Sequence, residues 1–120
     1  MDFAKAYHAL RTKEGRMYTD DVLAKLPNVP QDHALYREWM ARKDSLVQLM
    51  NYLFAQGRPL RILDLGCGNG WFSRHLANLP GAEVLGVDVG AEELAQAERV
   101  FGKVKNLRFA EADIFSSAFQ

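Results

Sequence analysis

The 120-residue chain has 48% apolar and 25% charged residues, an ordinary globular composition that gives no indication of disorder. Fifteen lysines and arginines balance fifteen aspartates and glutamates, so the basic excess of a dedicated nucleic-acid binder is missing; a small-molecule partner is expected, and no nucleic acid. Cys67 alone cannot close an internal disulfide or build a cysteine zinc site, no secretory leader is read, and the apolar cluster at 46–54 is broken by Gln48 and Asn51, so a cytoplasmic protein with no membrane partner is expected.

Taken in order, Phe3, Ala6, Tyr7 and Leu10 recur at helical spacing, and a short helical stretch over 20–26 stops at Pro27. Pro27-Asn28-Val29-Pro30 breaks the chain. Over 31–56, Leu35, Trp39, Leu46, Leu49, Met50 and Leu53 fall on one face of a long helix, which is expected to lie against a sheet. Gly57 can end that helix in a left-handed cap, with Pro59 beyond it.

After Pro59 strands and helices alternate. Leu60-Arg61-Ile62-Leu63-Asp64-Leu65 reads as a buried strand, and Phe72, Leu76 and Leu79 define a helix closed by Pro80-Gly81. A second strand is expected over 83–88. A helix follows Gly90 as N-cap, with Glu92 and Glu93 in its first turn and Leu94, Ala97, Val100 and Phe101 on its inner face. A third strand is expected over 106–112. This βαβαβ order requires parallel strands and right-handed crossovers. The fold expected is therefore α/β: a partial doubly wound, Rossmann-like sheet of strand order 3-2-1 with an N-terminal helical extension. Residues 1–59 form the extension and residues 60–120 the first half of the sheet domain, which stops after its third strand.

In such sheets ligands lie beyond the carboxyl ends of the strands, here Asp64 with its glycine loop, Asp88 and Asp113. Gly66, Gly68 and Gly70 permit close approach of a ligand to the backbone, and the helix after them offers free N–H groups. The spacing is Gly-x-Gly-x-Gly, and Asp64 stands two residues ahead of it. A carboxylate there would repel a pyrophosphate but favours the ammonium and sulfonium of S-adenosyl-L-methionine (SAM) over NAD.

Ile62-Leu63-Asp64-Leu65-Gly66-Cys67-Gly68-Asn69-Gly70 resembles motif I of the class I SAM-dependent methyltransferases. The resemblance implies that this loop, with Asp64, Gly66, Cys67 and Gly68, wraps the methionine portion of SAM. It implies that Asp88 binds the ribose hydroxyls, at about the 20-residue distance usual for such an acid. It further implies that Asp113 faces the adenine amino group and that Val89 and Ile114 pack on the adenine faces. The cofactor expected is thus SAM and the activity methyl transfer to an acceptor, with no catalytic residue identified. A segment around Glu14-Gly15-Arg16-Met17-Tyr18 matches a lid in many members of the family, which would bring Arg16 or Tyr18 toward the cofactor; a surface turn is the plainer reading.

Other residue readings are unspecialised. Cys67 reads as a small residue in a tight turn, Trp71 and Phe72 as packing residues, and His8, His33 and His75 show no metal-ligand spacing. Two other functions stay open: a non-catalytic SAM- or nucleotide-binding fragment, and an NAD-dependent oxidoreductase, which would need its third glycine one residue later. If the sheet stops after strand three, strand one is an edge, and self-association through that edge is expected.

Overall fold

A computed structural model describes Ala6 and residues 17–113. The helix expected through Phe3, Tyr7 and Leu10, the Glu14 to Arg16 part of the lid segment, and Ile114 lie outside the described residues. The first described element, α1 (Asp20–Leu23), is capped by Thr19, whose hydroxyl accepts the Val22 N–H.

The long helix α2 (Tyr36–Phe54) begins five residues later than its apolar periodicity indicates. Turn chemistry takes over the intervening residues: the Pro30 carbonyl accepts the His33 N–H, and His33 Nδ1 accepts the Leu35 N–H at 3.0 Å. Downstream, Gly57 adopts the left-handed conformation expected of it, with φ +66°.

The alternating elements follow as β1 (Arg61–Leu65), α3 (Trp71–Leu76), β2 (Glu83–Asp88), α4 (Ala91–Phe101) and β3 (Leu107–Glu111). All three strands are parallel. β2 lies in the middle, paired with β1 from Arg61↔Glu83 to Leu65↔Val87 and with β3 from Val84↔Leu107 to Asp88↔Glu111. This is the 3-2-1 order expected, and short crossover helices leave no antiparallel alternative.

Register sets the faces of the sheet. Asp64, Gly86 and Phe109 form one row across the three strands, and α3 and α4 both pack on their side. A Cβ built on Gly86 would fall 2.9 Å from Ser73 Oγ, and one on Gly70 would fall 2.6 Å from the Phe109 ring and 3.2 Å from Ala97. The opposite face carries Leu63, Leu65 and Leu85, which remain 50%, 53% and 39% exposed. The expectation of a buried β1 is thereby corrected. Its sequence is apolar on both faces, but the described helices cover only one, and among the described residues β1 has a strand neighbour on only one side.

The core joins both parts of the chain, with Leu23, Leu26 and Trp39 packed in one cluster with Leu76, Leu79, Val84, Phe101 and Leu107. The α2 stripe was expected to face the sheet; at Trp39 it meets α3 instead, edge-on to Trp71 at 4.9 Å between ring centroids. Trp39 Nε1 donates to the Tyr18 hydroxyl at 2.8 Å. The segment before α2 is fastened across the later helices. Arg99 donates twice to the Asp20 carboxylate, at 2.9 and 3.0 Å, and the Gln96 side chain donates to the Tyr18 carbonyl at 2.6 Å. His75 Nε2 lies 2.7 Å from the Leu26 carbonyl oxygen. No described helix is long and apolar enough to cross a membrane.

Candidate cofactor site

The loop that leaves β1 is hooked over the end of β2. Gly66 and Cys67 both donate their N–H groups to the Val87 carbonyl, at 2.8 and 3.0 Å, and the Gly70 N–H closes a turn onto the Cys67 carbonyl at 3.0 Å. Gly66, Gly68 and Gly70 take φ values of +72°, +56° and +82°, where any Cβ is strained. Their surroundings differ. A Cβ on Gly68 would lie 2.8 Å from Glu93 Oε2 and one on Gly70 would enter the Phe109 ring, whereas a Cβ on Gly66 would meet nothing within 4 Å. Gly66 is therefore where the backbone faces open space that a ligand can enter.

Asp88 joins the loop to the next crossover. Its Oδ2 accepts the Gly68 N–H and its Oδ1 the Gly90 N–H, each at 2.8 Å. Asp64 lies deeper, with Oδ2 accepting the Ser73 hydroxyl at 2.6 Å. Burial pushes the Asp64 carboxyl above the usual carboxylate range; the Ser73 hydrogen bond opposes that shift and the neighbouring Asp88 charge adds to it. The buried Cys67 thiol is pushed up to about 12, first by burial and then by Asp88 and Asp64. At neutral pH it is a protonated packing group rather than a nucleophile.

The structure thus gathers Asp64, Gly66, Cys67, Gly68 and Asp88 at the carboxyl ends of β1 and β2, the loop tied to Val87 and Asp88 and Asp64 held separately by Ser73. Val89 stands half-exposed just past β2, and Asp113 lies two residues past β3, whose end is tied alongside by the Ala112 N–H donating to the Asp88 carbonyl at 3.0 Å. Tyr18 is placed elsewhere: its hydroxyl is occupied by Trp39, and its ring packs between Trp39 and His33. Trp71 packs edge-on against Trp39 of α2 and tilted against Phe72, and both lie against the core cluster, the packing role expected of them.

Sequence reasoning missed Ser73, Gly86, Glu93 and Phe109, which close the site from below. Gly86 carried a usable signal, since glycine inside a strand marks close approach of another group. The other three carried none, because their roles depend on how α3 and α4 settle on the sheet.

A parallel 3-2-1 sheet with a glycine loop after β1 and an acid ending β2 defines the class of nucleoside-cofactor-binding α/β proteins. Residues 62–120 match the model of a methyltransferase domain. Over 62 residues the chain is 42% identical to the malonyl-[acyl-carrier protein] O-methyltransferase of Legionella pneumophila, an overlap of 51% of this chain and 22% of that protein. Over 113 residues it is 38% identical to the 23S rRNA (uracil(1939)-C(5))-methyltransferase RlmD of Marinomonas posidonica, an overlap of 92% of this chain and 25% of that one. The magnesium protoporphyrin IX methyltransferase of Synechocystis PCC 6803, solved with bound SAH, shares the fold with a TM-score of 0.55 at 24% identity, covering 72% of this chain and 42% of that one. The chain belongs to the class I SAM-dependent methyltransferase family, and it spans about a quarter of the length of these two curated relatives.

Proposed function

We propose that this chain forms the SAM-holding part of a methyltransferase whose acceptor is a small molecule. The observation that carries this reading is the juxtaposition of an open loop crown at Gly66 with two strand-end carboxylates, Asp64 and Asp88. A cofactor with a cationic methionine end and a ribose diol suits that donor and acceptor set. Asp88 would take the ribose hydroxyls, Asp64 and the Gly66–Gly68 backbone the methionine end, and Val89, Asp113 and Ile114 the adenine. The bound cofactor supplies a methyl group already activated on a sulfonium. The chain's own part is to fix that group's position and exclude water around it, so no general base need be conspicuous here.

The small-molecule acceptor is supported by charge. Asp64, Asp88 and Glu93 gather at the loop, as their joint effect on Cys67 shows, and such a mouth repels a phosphate backbone. The similarity to an rRNA methyltransferase supports an RNA acceptor instead. Filter binding of a structured RNA to the chain discriminates the two; retention that weakens steeply with salt would overturn the small-molecule reading. We also propose self-association through the β1 edge, supported by the exposed leucines beside that edge.

Calorimetric titration with S-adenosylhomocysteine tests the cofactor reading. The wild-type chain is expected to bind and Asp88→Ala to bind at least about tenfold more weakly, since a hydrogen bond to a charged group contributes roughly 1.5–3 kcal/mol. Equal affinity in the two proteins would overturn the assignment of Asp88. No binding to wild type would overturn the proposal that this chain by itself holds SAM.

A further inference from the structure

Ser73 is fully buried on α3. A serine inside a helix commonly turns back to a carbonyl of its own helix. This one instead reaches out to the sheet, donating to Asp64 Oδ2 at 2.6 Å. Space for that reach is made by a missing side chain. Gly86 is the register partner of Asp64 on β2, and a Cβ there would crowd Ser73 Oγ at 2.9 Å, the Phe109 ring at 2.9 Å and Cys67 Sγ at 3.0 Å. A glycine in the middle of a central strand weakens the strand, so its presence beside the strand-end acid calls for a reason of this kind.

The surroundings of Asp64 give the hydroxyl its importance. Asp88 at the end of β2 is the charge that bears on Asp64, and that charge is anionic. Asp64 is itself half-buried, and both influences favour its protonated form. The Ser73 hydroxyl is the side-chain group that opposes them. Oδ1 of Asp64 takes no hydrogen bond from the described residues and is left for a ligand.

We propose that Ser73 is a positioning residue, admitted by Gly86, which holds Asp64 in the orientation and the charged form that the cationic methionine end of the cofactor requires. The proposal rests on the SAM reading of this site, and it concerns a residue that never touches the cofactor. Removal of the hydroxyl therefore acts through the protonation of Asp64, and its effect on binding depends on pH. A merely structural serine would weaken binding equally at every pH.

The test compares wild type, Ser73→Ala, Ser73→Thr and the near-isosteric Ser73→Cys in the 120-residue chain. Carboxyl-carbon NMR titration without ligand is expected to show a higher Asp64 midpoint in the Ala and Cys variants and a near-wild-type midpoint in Thr. Titration with S-adenosylhomocysteine at pH 6 and pH 8 is expected to show affinity in Ala and Cys falling at pH 6, by up to about tenfold per unit that the midpoint has risen into that range. An unchanged midpoint, a raised midpoint that Thr does not restore, or a pH-independent loss of affinity would each overturn the role of Ser73. If wild type fails to bind S-adenosylhomocysteine, the cofactor reading of this chain falls, and the ligand-free midpoints alone decide whether Ser73 governs Asp64. If the Ala variant does not fold, the Cys variant carries the comparison.

Discussion

Gly66 and Gly70 share a left-handed backbone but not an environment, and that difference separates stability from binding. At Gly70 the Cβ of alanine adds a clash with Phe109 to the backbone strain, so Gly70→Ala is expected to lower the urea-unfolding stability by about 2–4 kcal/mol. Gly66→Ala meets only open space and is expected to cost about 1–2 kcal/mol, the backbone term alone, while impairing S-adenosylhomocysteine binding more than Gly70 would suggest. Equal losses of stability would contradict this assignment of the two environments. Cys67 gives a second probe: with its thiol held at about 12, the native chain is expected to resist iodoacetamide at pH 8 and to become reactive in urea. Rapid native labelling would mean that the loop opens readily. Asp64 and Asp88 were legible because they end strands at set distances from the glycines. Ser73 was not, since nothing in the local sequence distinguishes a serine that turns to its own helix from one that crosses to a strand.

At the scale of elements, β2 and α4 occupy the residues their patterns indicated, because strong punctuation bounds them: Pro80-Gly81 before the strand, and Gly90 with Glu92 and Glu93 opening the helix. α2 shows the opposite case. Its apolar stripe continues back to Leu35, but the Pro30 and His33 turn takes up the backbone groups a helix would need. The fastening of the segment before α2 onto α4 depends on the Asp20–Arg99 pair, and it makes a prediction about acid. Arg99, followed by Gln96, lowers the Asp20 carboxyl to about 2 from its usual 3.8. A depressed acid contributes stability that is present above the unfolded value and lost as pH falls toward the folded one. The melting temperature of wild type is therefore expected to approach that of Arg99→Met as pH drops from about 4 to about 2. A constant gap between the two across that range would show that the pair does not fasten the segment.

For the whole molecule, the important asymmetry is between the two faces of the sheet. One is packed by α3 and α4, and the other presents Leu63, Leu65 and Leu85 beside the β1 edge, which no strand among the described residues pairs. Exposed apolar surface next to unpaired strand groups favours association with another chain. Sedimentation is expected to show a concentration-dependent species larger than the monomer, reduced by Leu85→Lys at little cost to melting temperature, since Leu85 is already partly in water. A monomer across the concentration range would remove the proposal. The sequence alone could not have divided the faces of β1, because Ile62, Leu63 and Leu65 are equally apolar and only the row Asp64–Gly86–Phe109 shows which side the helices take.

The Asp88 carboxylate also makes the site a reporter of its own occupancy. Because one side chain accepts the amides of both Gly68 and Gly90, those two protons feel the same negative charge from opposite sides. In a spectrum of the free protein both glycine signals should be displaced downfield as a pair. Any ligand that draws charge from Asp88 should move them together, so occupancy could be followed from two resonances without labelling the ligand.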